Sequence, residues 1–168
     1  SIDIDIILPD KQHDLDESLN VLVEEQGFTR YELQKRNTQS DIEKAHYKLF
    51  YKPARASGGE EEYVLLDILF EDVHYTQLTK LPVQSSFVPQ EGDPVIVDIP
   101  SKEDLLGDKL TAYAPNTTGI PYFKGEDSMS MEIIKQLYDV GNLFDEVSDL
   151  QVVRETFQKF AVAELAYR

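Results

Sequence analysis

The sequence predicts an α+β fold: a mixed β-sheet core in residues 1–99, followed by a C-terminal helical bundle in residues 100–168. Apolar and polar residues alternate along short segments of the first part, which is the period-2 pattern of half-buried strands. After Pro100 the apolar residues recur at helical spacing. A chain of 168 residues accommodates one core, or a small domain with a helical appendage, but not two large domains.

The strands of the first part are predicted from alternation and from aromatic or β-branched residues. They cover residues 2–8, 28–36, 45–52 and 63–70. The last of these is the most hydrophobic, so we expect it in the middle of the sheet. A helix is predicted at 14–26, because Leu residues recur at helical spacing before Gly27. Residues 75–98 contain several prolines and predict short edge strands.

The second part is predicted to be helical throughout, apart from one loop. Ser101 to Asp104 resembles a capped helix start, and the helix continues to about residue 114. A loop containing Gly and Pro is expected over 116–128. Two further helices, at 130–146 and 149–167, carry apolar stripes. The predicted stripes are Ile133, Leu137, Val140 and Phe144 in the first helix and Val153, Phe157 and Phe160 in the second.

Charge and composition exclude several classes of protein. The net charge is −16, and such a field repels a polyphosphate backbone, so a protein that coats duplex DNA is not expected. Divalent cations bound to a carboxylate cluster would still allow local contact with nucleic acid. Cysteine is absent, which excludes disulfides and thiolate metal sites. No apolar run is long enough to span a membrane.

The first predicted strand carries two carboxylates on one face. Asp3 and Asp5 are two residues apart, which places their Cα atoms about 7 Å apart along a strand. Such a pair can hold Mg²⁺ or Mn²⁺, and two divalent cations about 4 Å apart are the usual catalysts of phosphoryl and nucleotidyl transfer. A solvated strand face is the alternative for this pair.

Asp67 is a candidate third ligand, because it lies within the most hydrophobic strand, where an unpaired charge is costly. A neighbouring strand can bring it beside Asp3 and Asp5. The alternative is a carboxylate that faces solvent on the open side of the sheet. His13, His46 and His74 have no ligand spacing, so we interpret them as surface or structural residues.

Four segments, in order along the chain, resemble the AbiEii-type toxins within the DNA polymerase β-like nucleotidyltransferases. They begin at Ser1 (SIDIDI), Tyr63 (YVLLDIL), Pro100 (PSKEDLLGDKLTA) and Lys135 (KQLYDV). The resemblance covers nearly the whole chain. In the family, a Gly-Ser motif precedes the first of these segments. This chain opens at Ser1 without a Met, so we expect it to be part of a longer protein.

The resemblance implies a role for each matching residue. Asp3 and Asp5 would be catalytic metal ligands, and Asp67 would complete the metal cluster or act as the base. Lys109 would neutralise nucleotide phosphates, and Asp139 would orient Lys109 or the acceptor. Ser1 and Lys135 would complete the nucleotide site. As an alternative from the residues alone, Lys135 and Asp139 are four apart and could form a plain helix ion pair.

The resemblance also implies an activity: the magnesium-dependent transfer of a nucleoside monophosphate from a nucleoside triphosphate to an acceptor hydroxyl. The acceptor would be an RNA end, such as that of a tRNA, or a protein. The enzyme would act in the cytoplasm as the toxin of a toxin–antitoxin or phage-defence system, with a cognate antitoxin. The alternative is a catalytically inactive member of the fold that acts through protein contacts.

Tyr122 and Phe123 stand out in the predicted loop before the second C-terminal helix. Two adjacent aromatic rings can stack on nucleic acid bases. An aromatic anchor that packs the loop onto the protein is the expected alternative.

Overall fold

The computed structural model describes residues 3–9, 15–34, 44–54, 59–87, 89–115 and 119–166. The chain divides into two compact units, Ser1–Val73 and His74–Arg168. The mixed α+β content and the helical C-terminal part agree with the predicted fold class.

The first unit contains one mixed sheet and one helix. Its elements are β1 (Asp3–Ile7), α1 (Leu15–Glu25), β2 (Phe28–Leu33), β3 (Lys44–Tyr51) and β4 (Glu62–Leu69). The strand order is β1-β4-β3-β2, in which β1 runs parallel to β4 and the other neighbours are antiparallel. The most hydrophobic strand, β4, is therefore inside the sheet, as predicted.

The two faces of this sheet differ in polarity because side chains alternate along each strand. One face is apolar and forms the core with α1. Its buried residues are Leu19, Ala45, Tyr47, Leu49 and Ile68. The helix α1 ends before Gly27, whose φ of 80° permits the turn into β2. The opposite face carries the carboxylates that the sequence singles out.

The second unit combines a β-ribbon with helices. Its elements are β5 (Leu78–Pro82), β6 (Ile96–Pro100), α2 (Lys102–Leu110), a 3₁₀ turn (Thr111–Tyr113), β7 (Phe123–Lys124), β8 (Asp127–Ser128), α3 (Ser130–Glu146) and α4 (Leu150–Ala166). Strands β5 and β6 pair with each other and not with the first sheet. The ribbon belongs to the contact unit that begins at His74, and a domain boundary after residue 99 stays a prediction.

The helix α2 makes contacts with both α3 and α4. Its approach to α4 is close at Gly107, where a Cβ atom would lie 2.6 Å from the carbonyl oxygen of Val153. Glycine is therefore required at this crossing. Around it, Leu106, Val153 and Phe160 are buried. The predicted stripe of α4 is thus confirmed at Val153 and Phe160.

The predicted stripe of α3 is wrong in part. Leu137 and Phe144 are exposed, and α3 has no buried residue. Polar side chains join α3 to α2 instead, among them Lys102, which donates to Glu146 over 2.6 Å. The short hairpin of β7 and β8 lies within the predicted loop, because two-residue strands are too short to produce a periodic pattern. None of the helices in the described ranges is long and apolar enough to cross a membrane.

Candidate functional site

Three polar residues form a row across the sheet of the first unit. Asp5 on β1 is the register partner of Asp67 on β4, and Asp67 is the register partner of His46 on β3. Residues in register on adjacent strands point to the same face, so these side chains lie side by side. Asp3 is two residues before Asp5 and shares this face. The structure therefore brings together Asp3, Asp5 and Asp67.

The carboxylates of this row repel one another. Partial burial, the charge of Asp67 and the charge of Asp3 together raise the pKa of Asp5 above its ordinary value. All three causes disfavour the ionised form, and no residue that the structure describes lowers the pKa of Asp5 in return. Such an uncompensated cluster is typical of sites that bind a cation or a proton.

His46 is the residue of this site that the sequence analysis missed. Its Nδ1 atom lies 2.8 Å from Oδ1 of Asp67. Both atoms are buried, and neither has an aligned hydrogen bond to any residue that the structure describes. Of the two interpretations of His46, surface or structural, this contact supports the structural one. The antiparallel pairing of two predicted strands, 45–52 and 63–70, was the signal that could have placed His46 opposite Asp67.

The donor set of this face suits a hard cation. Mg²⁺ binds through carboxylate oxygens, and a cation beside Asp5 and Asp67 would offset the repulsion between their charges. Among the described residues, no group of three or more His, Asp or Glu side chains is already arranged to hold a metal ion. The two facing carboxylates thus fit a metal, while a third ligand such as Asp3 would need to turn toward it.

A second cluster lies within the second unit, where α2 meets α3. Nζ of Lys109 donates to Oδ2 of Asp139 over 2.9 Å and to Oε1 of Gln136 over 3.2 Å. Lys135 is exposed on α3 and does not pair with Asp139, so the plain helix ion pair is excluded. Asp139 holds the lysine that the sequence analysis assigned to phosphate binding.

Tyr113 borders this cluster, in the 3₁₀ turn that follows α2. Burial and the charge of Asp139 raise the pKa of its hydroxyl. The phenol is neutral at pH 7 even at its ordinary pKa, and the upward shift extends the pH range in which it can donate a hydrogen bond. Ser1, the remaining predicted site residue, lies outside the described residues.

Asp104 is buried in the first turn of α2, the helix that carries Lys109, and was not a predicted site residue. It is 0% exposed and accepts hydrogen bonds from the backbone N–H groups of Thr76 and Gln77, each over 2.8 Å. The hydroxyls of Ser101 and Thr156 also donate to it. Burial alone would raise its pKa, but these hydrogen bonds lower it below the ordinary value. Asp104 fixes the start of α2, the helix that carries Lys109.

Comparison with known proteins identifies the family. The model of the family described as "Nucleotidyl transferase AbiEii toxin, Type IV TA system" matches residues 1–167. No curated protein matches the chain significantly. Among solved structures, the crystal structure of JHP933 from Helicobacter pylori is 17% identical, with a TM-score of 0.40 over 99% of this chain and 76% of that one. That structural similarity is too low to carry an argument. By the family match, this chain belongs to the AbiEii nucleotidyltransferase toxins of type IV toxin–antitoxin systems.

Proposed function

We propose that this protein is a metal-dependent nucleotidyltransferase that moves a nucleoside monophosphate from a nucleoside triphosphate to the hydroxyl of an RNA end or a protein. The observation that carries the proposal is the register pairing of Asp5 with Asp67, where partial burial, the charge of Asp67 and the charge of Asp3 all raise the pKa of Asp5. Hydrogen-bond donors lower the pKa of the structural carboxylate Asp104, whereas every cause that acts on Asp5 disfavours its charge. The cytoplasm, which supplies nucleoside triphosphates, is the proposed setting.

Asp5 and Asp67 would hold the Mg²⁺ or Mn²⁺ ions, and Asp3 would complete the ligand set. When bound, such ions neutralise charge on the phosphates and lower the pKa of an attacking hydroxyl. Asp67 is positioned by its contact with His46, which lies on the side of Asp67 away from Asp5. His46 would therefore fix the orientation of Asp67 without touching the substrate.

Lys109 would neutralise charge that develops on the phosphates during transfer. Its ammonium group is part-buried and held by Asp139 and Gln136, so it is oriented before a nucleotide arrives. A charged group that is already oriented stabilises a transition state more than a mobile charged group does, because the protein need not reorganise during the reaction. Lys135 is exposed on α3, and its contact with phosphate stays a prediction. The role of Ser1 in the nucleotide site also stays a prediction.

The test is a transfer assay with each of the four α-³²P-labelled nucleoside triphosphates, supplied with Mg²⁺ and either total tRNA or protein as acceptor. Asp5→Asn, Asp67→Asn and Lys109→Met should each reduce transfer by about 100-fold or more. Removal of divalent cations by EDTA should abolish it. The matched controls are Asp98→Asn and Lys80→Met, since these two residues form an exposed ion pair of the same type on β5 and β6.

Transfer that survives Asp5→Asn and Asp67→Asn would overturn the proposal. A wild-type chain that neither transfers nucleotides nor binds Mn²⁺ would favour the alternative function, an inactive member of the fold that acts through protein contacts. Mn²⁺ binding can be followed by electron paramagnetic resonance, and both aspartate variants should lose it together.

A further inference from the structure

The hairpin of β7 and β8 presents two aromatic rings to solvent. Tyr122 is 61% exposed and Phe123, the next residue, is 65% exposed. The expectation that they anchor the loop by packing onto the protein is therefore wrong. Lys124 follows them directly and is also exposed. Exposed rings of this size are costly to leave in water, so their persistence on the surface needs an explanation.

The hairpin is rigidly mounted. Gly125, with a φ of 64°, forms its two-residue turn with Glu126, and the N–H of Met129 donates to the carbonyl of Tyr122 over 3.0 Å. On the other side, the N–H of Ile120 donates to the carbonyl of Ala112 over 3.0 Å. The backbone that carries the two rings is therefore held in place before any ligand arrives, which reduces the backbone entropy lost on binding.

The hairpin connects directly to the elements that carry Lys109 and Asp139. It is hydrogen-bonded to the 3₁₀ turn that follows α2, and its second strand leads into α3. Met131 and Tyr138 are exposed on α3 seven residues apart, which is the spacing of one helix face. We name Tyr122 and Phe123 the aromatic surface of the second unit.

The chemistry of this surface favours unpaired nucleic acid bases. Stacking on aromatic rings needs exposed base faces, which a duplex hides and a single strand offers. The protein carries a net charge of −16, and Glu126 and Asp127 lie beside the rings, so attraction for phosphates is weak. Binding would therefore depend on stacking, with Lys124 as the adjacent cation.

We propose that Tyr122 and Phe123 form a stacking platform for the unpaired bases of single-stranded RNA. This inference depends on the proposed function in one respect: the bound strand would be the acceptor whose hydroxyl receives the nucleotide. A protein ligand on the same rings is the competing outcome.

Binding of a fluorescein-labelled single-stranded RNA octamer, followed by fluorescence anisotropy without nucleoside triphosphate, tests the platform. Tyr122→Leu and Phe123→Leu should each weaken binding about 5- to 100-fold, because leucine is apolar but has no aromatic face. Phe123→Trp should retain binding. The matched control is Phe87→Leu, because Phe87 is 94% exposed elsewhere in the same unit. Its binding should equal that of the wild type.

Replacing bases of the octamer with abasic sites should weaken binding by the wild type and leave that of the double leucine variant unchanged. The proposal is overturned if the wild type does not bind the octamer, if it binds a duplex equally well, or if both leucine variants bind normally. The last result would show that the two rings do not stack on the bases of the octamer.

The Asp5→Asn variant tests RNA binding independently of nucleotidyl transfer. It should bind the octamer normally while losing nucleotidyl transfer. In an active wild type, Phe123→Leu should raise KM for the RNA acceptor. Octamer binding that follows the predicted pattern in a chain without transfer activity would uphold the platform and refute only the enzymatic proposal.

Discussion

Asp5 and Asp104 are the same residue type in opposite environments. Asp104 is fully buried and surrounded by hydrogen-bond donors, which hold its pKa below the ordinary value. Asp5 is exposed on its strand, yet burial of part of its surface and two neighbouring carboxylates raise its pKa. A buried charge that is fully satisfied stabilises the fold, whereas a surface charge without compensation is available to a ligand. Burial alone would have pointed to the wrong aspartate as the functional one.

The largest effect that tests this comparison is expected for Asp104→Ala. The substitution would leave the N–H groups of Thr76 and Gln77 and two hydroxyls without their acceptor inside the second unit. We expect the free energy of unfolding to fall by about 3–5 kcal/mol, measured by urea denaturation at pH 7. Asp98→Ala, at an exposed ion pair, should cost only about 0–1 kcal/mol. Equal losses in the two variants would contradict the structural role of Asp104.

The contribution of Asp104 should also depend on pH. Because its pKa is lowered in the folded state, its contribution is complete above the ordinary carboxyl pKa. It should be lost as the pH falls through the lowered value, where the folded protein takes up the proton. The stability difference between the wild type and Asp104→Asn should therefore shrink in acid. A difference that grows in acid would contradict the direction of the pKa shift.

A smaller effect is expected at the helix contacts of the second unit. At Gly107 a Cβ atom would overlap the backbone of α4, so Gly107→Ala should lower the free energy of unfolding by about 1–3 kcal/mol. Gly141, in α3, has open space around the same position, so Gly141→Ala should instead raise it by about 0.5–1 kcal/mol. Thermal unfolding of both variants measures this contrast. Similar effects in both would show that α2 and α4 are not in close contact.

The smallest effect is expected from Asp5→Asn, and its sign is opposite to that of Asp104→Ala. Because the folded protein holds the Asp5 proton more tightly than the unfolded chain, wild-type stability falls as the pH rises through the ordinary carboxyl range toward the raised pKa. Without divalent cations, Asp5→Asn should be slightly more stable than the wild type at neutral pH and equal to it in strong acid. A destabilised variant at neutral pH would mean that Asp5 has a favourable partner.

Much of the fold could be predicted because the local patterns are strong. The alternation of Ile and Asp fixes β1, and the hydrophobicity of residues 63–70 places β4 inside the sheet. The α3 stripe was misassigned, because a helical period indicates an apolar face without indicating what covers it. The β5–β6 ribbon could not be assigned to a unit, since pairing partners are not encoded in the local pattern of short strands.

The candidate site was predictable only where a residue is unusual for its local environment. Asp67 within a hydrophobic strand is such a case, and the structure places it beside Asp5. His46 and Asp104 were missed because their importance comes from contacts with residues distant in sequence. Neither contact follows from composition or spacing, although strand pairing would have indicated the first.

The position of β1 at the edge of its sheet has a consequence for heat sensitivity. Within the described residues β1 is hydrogen-bonded to β4 alone, while β4 is held from both sides. Local unfolding of β1 would therefore separate Asp5 from Asp67 while the remaining strands stay paired. Amide protons of β1 should exchange with solvent sooner than those of β4. On warming, Asp5 and Asp67 should separate before the hydrophobic core unfolds.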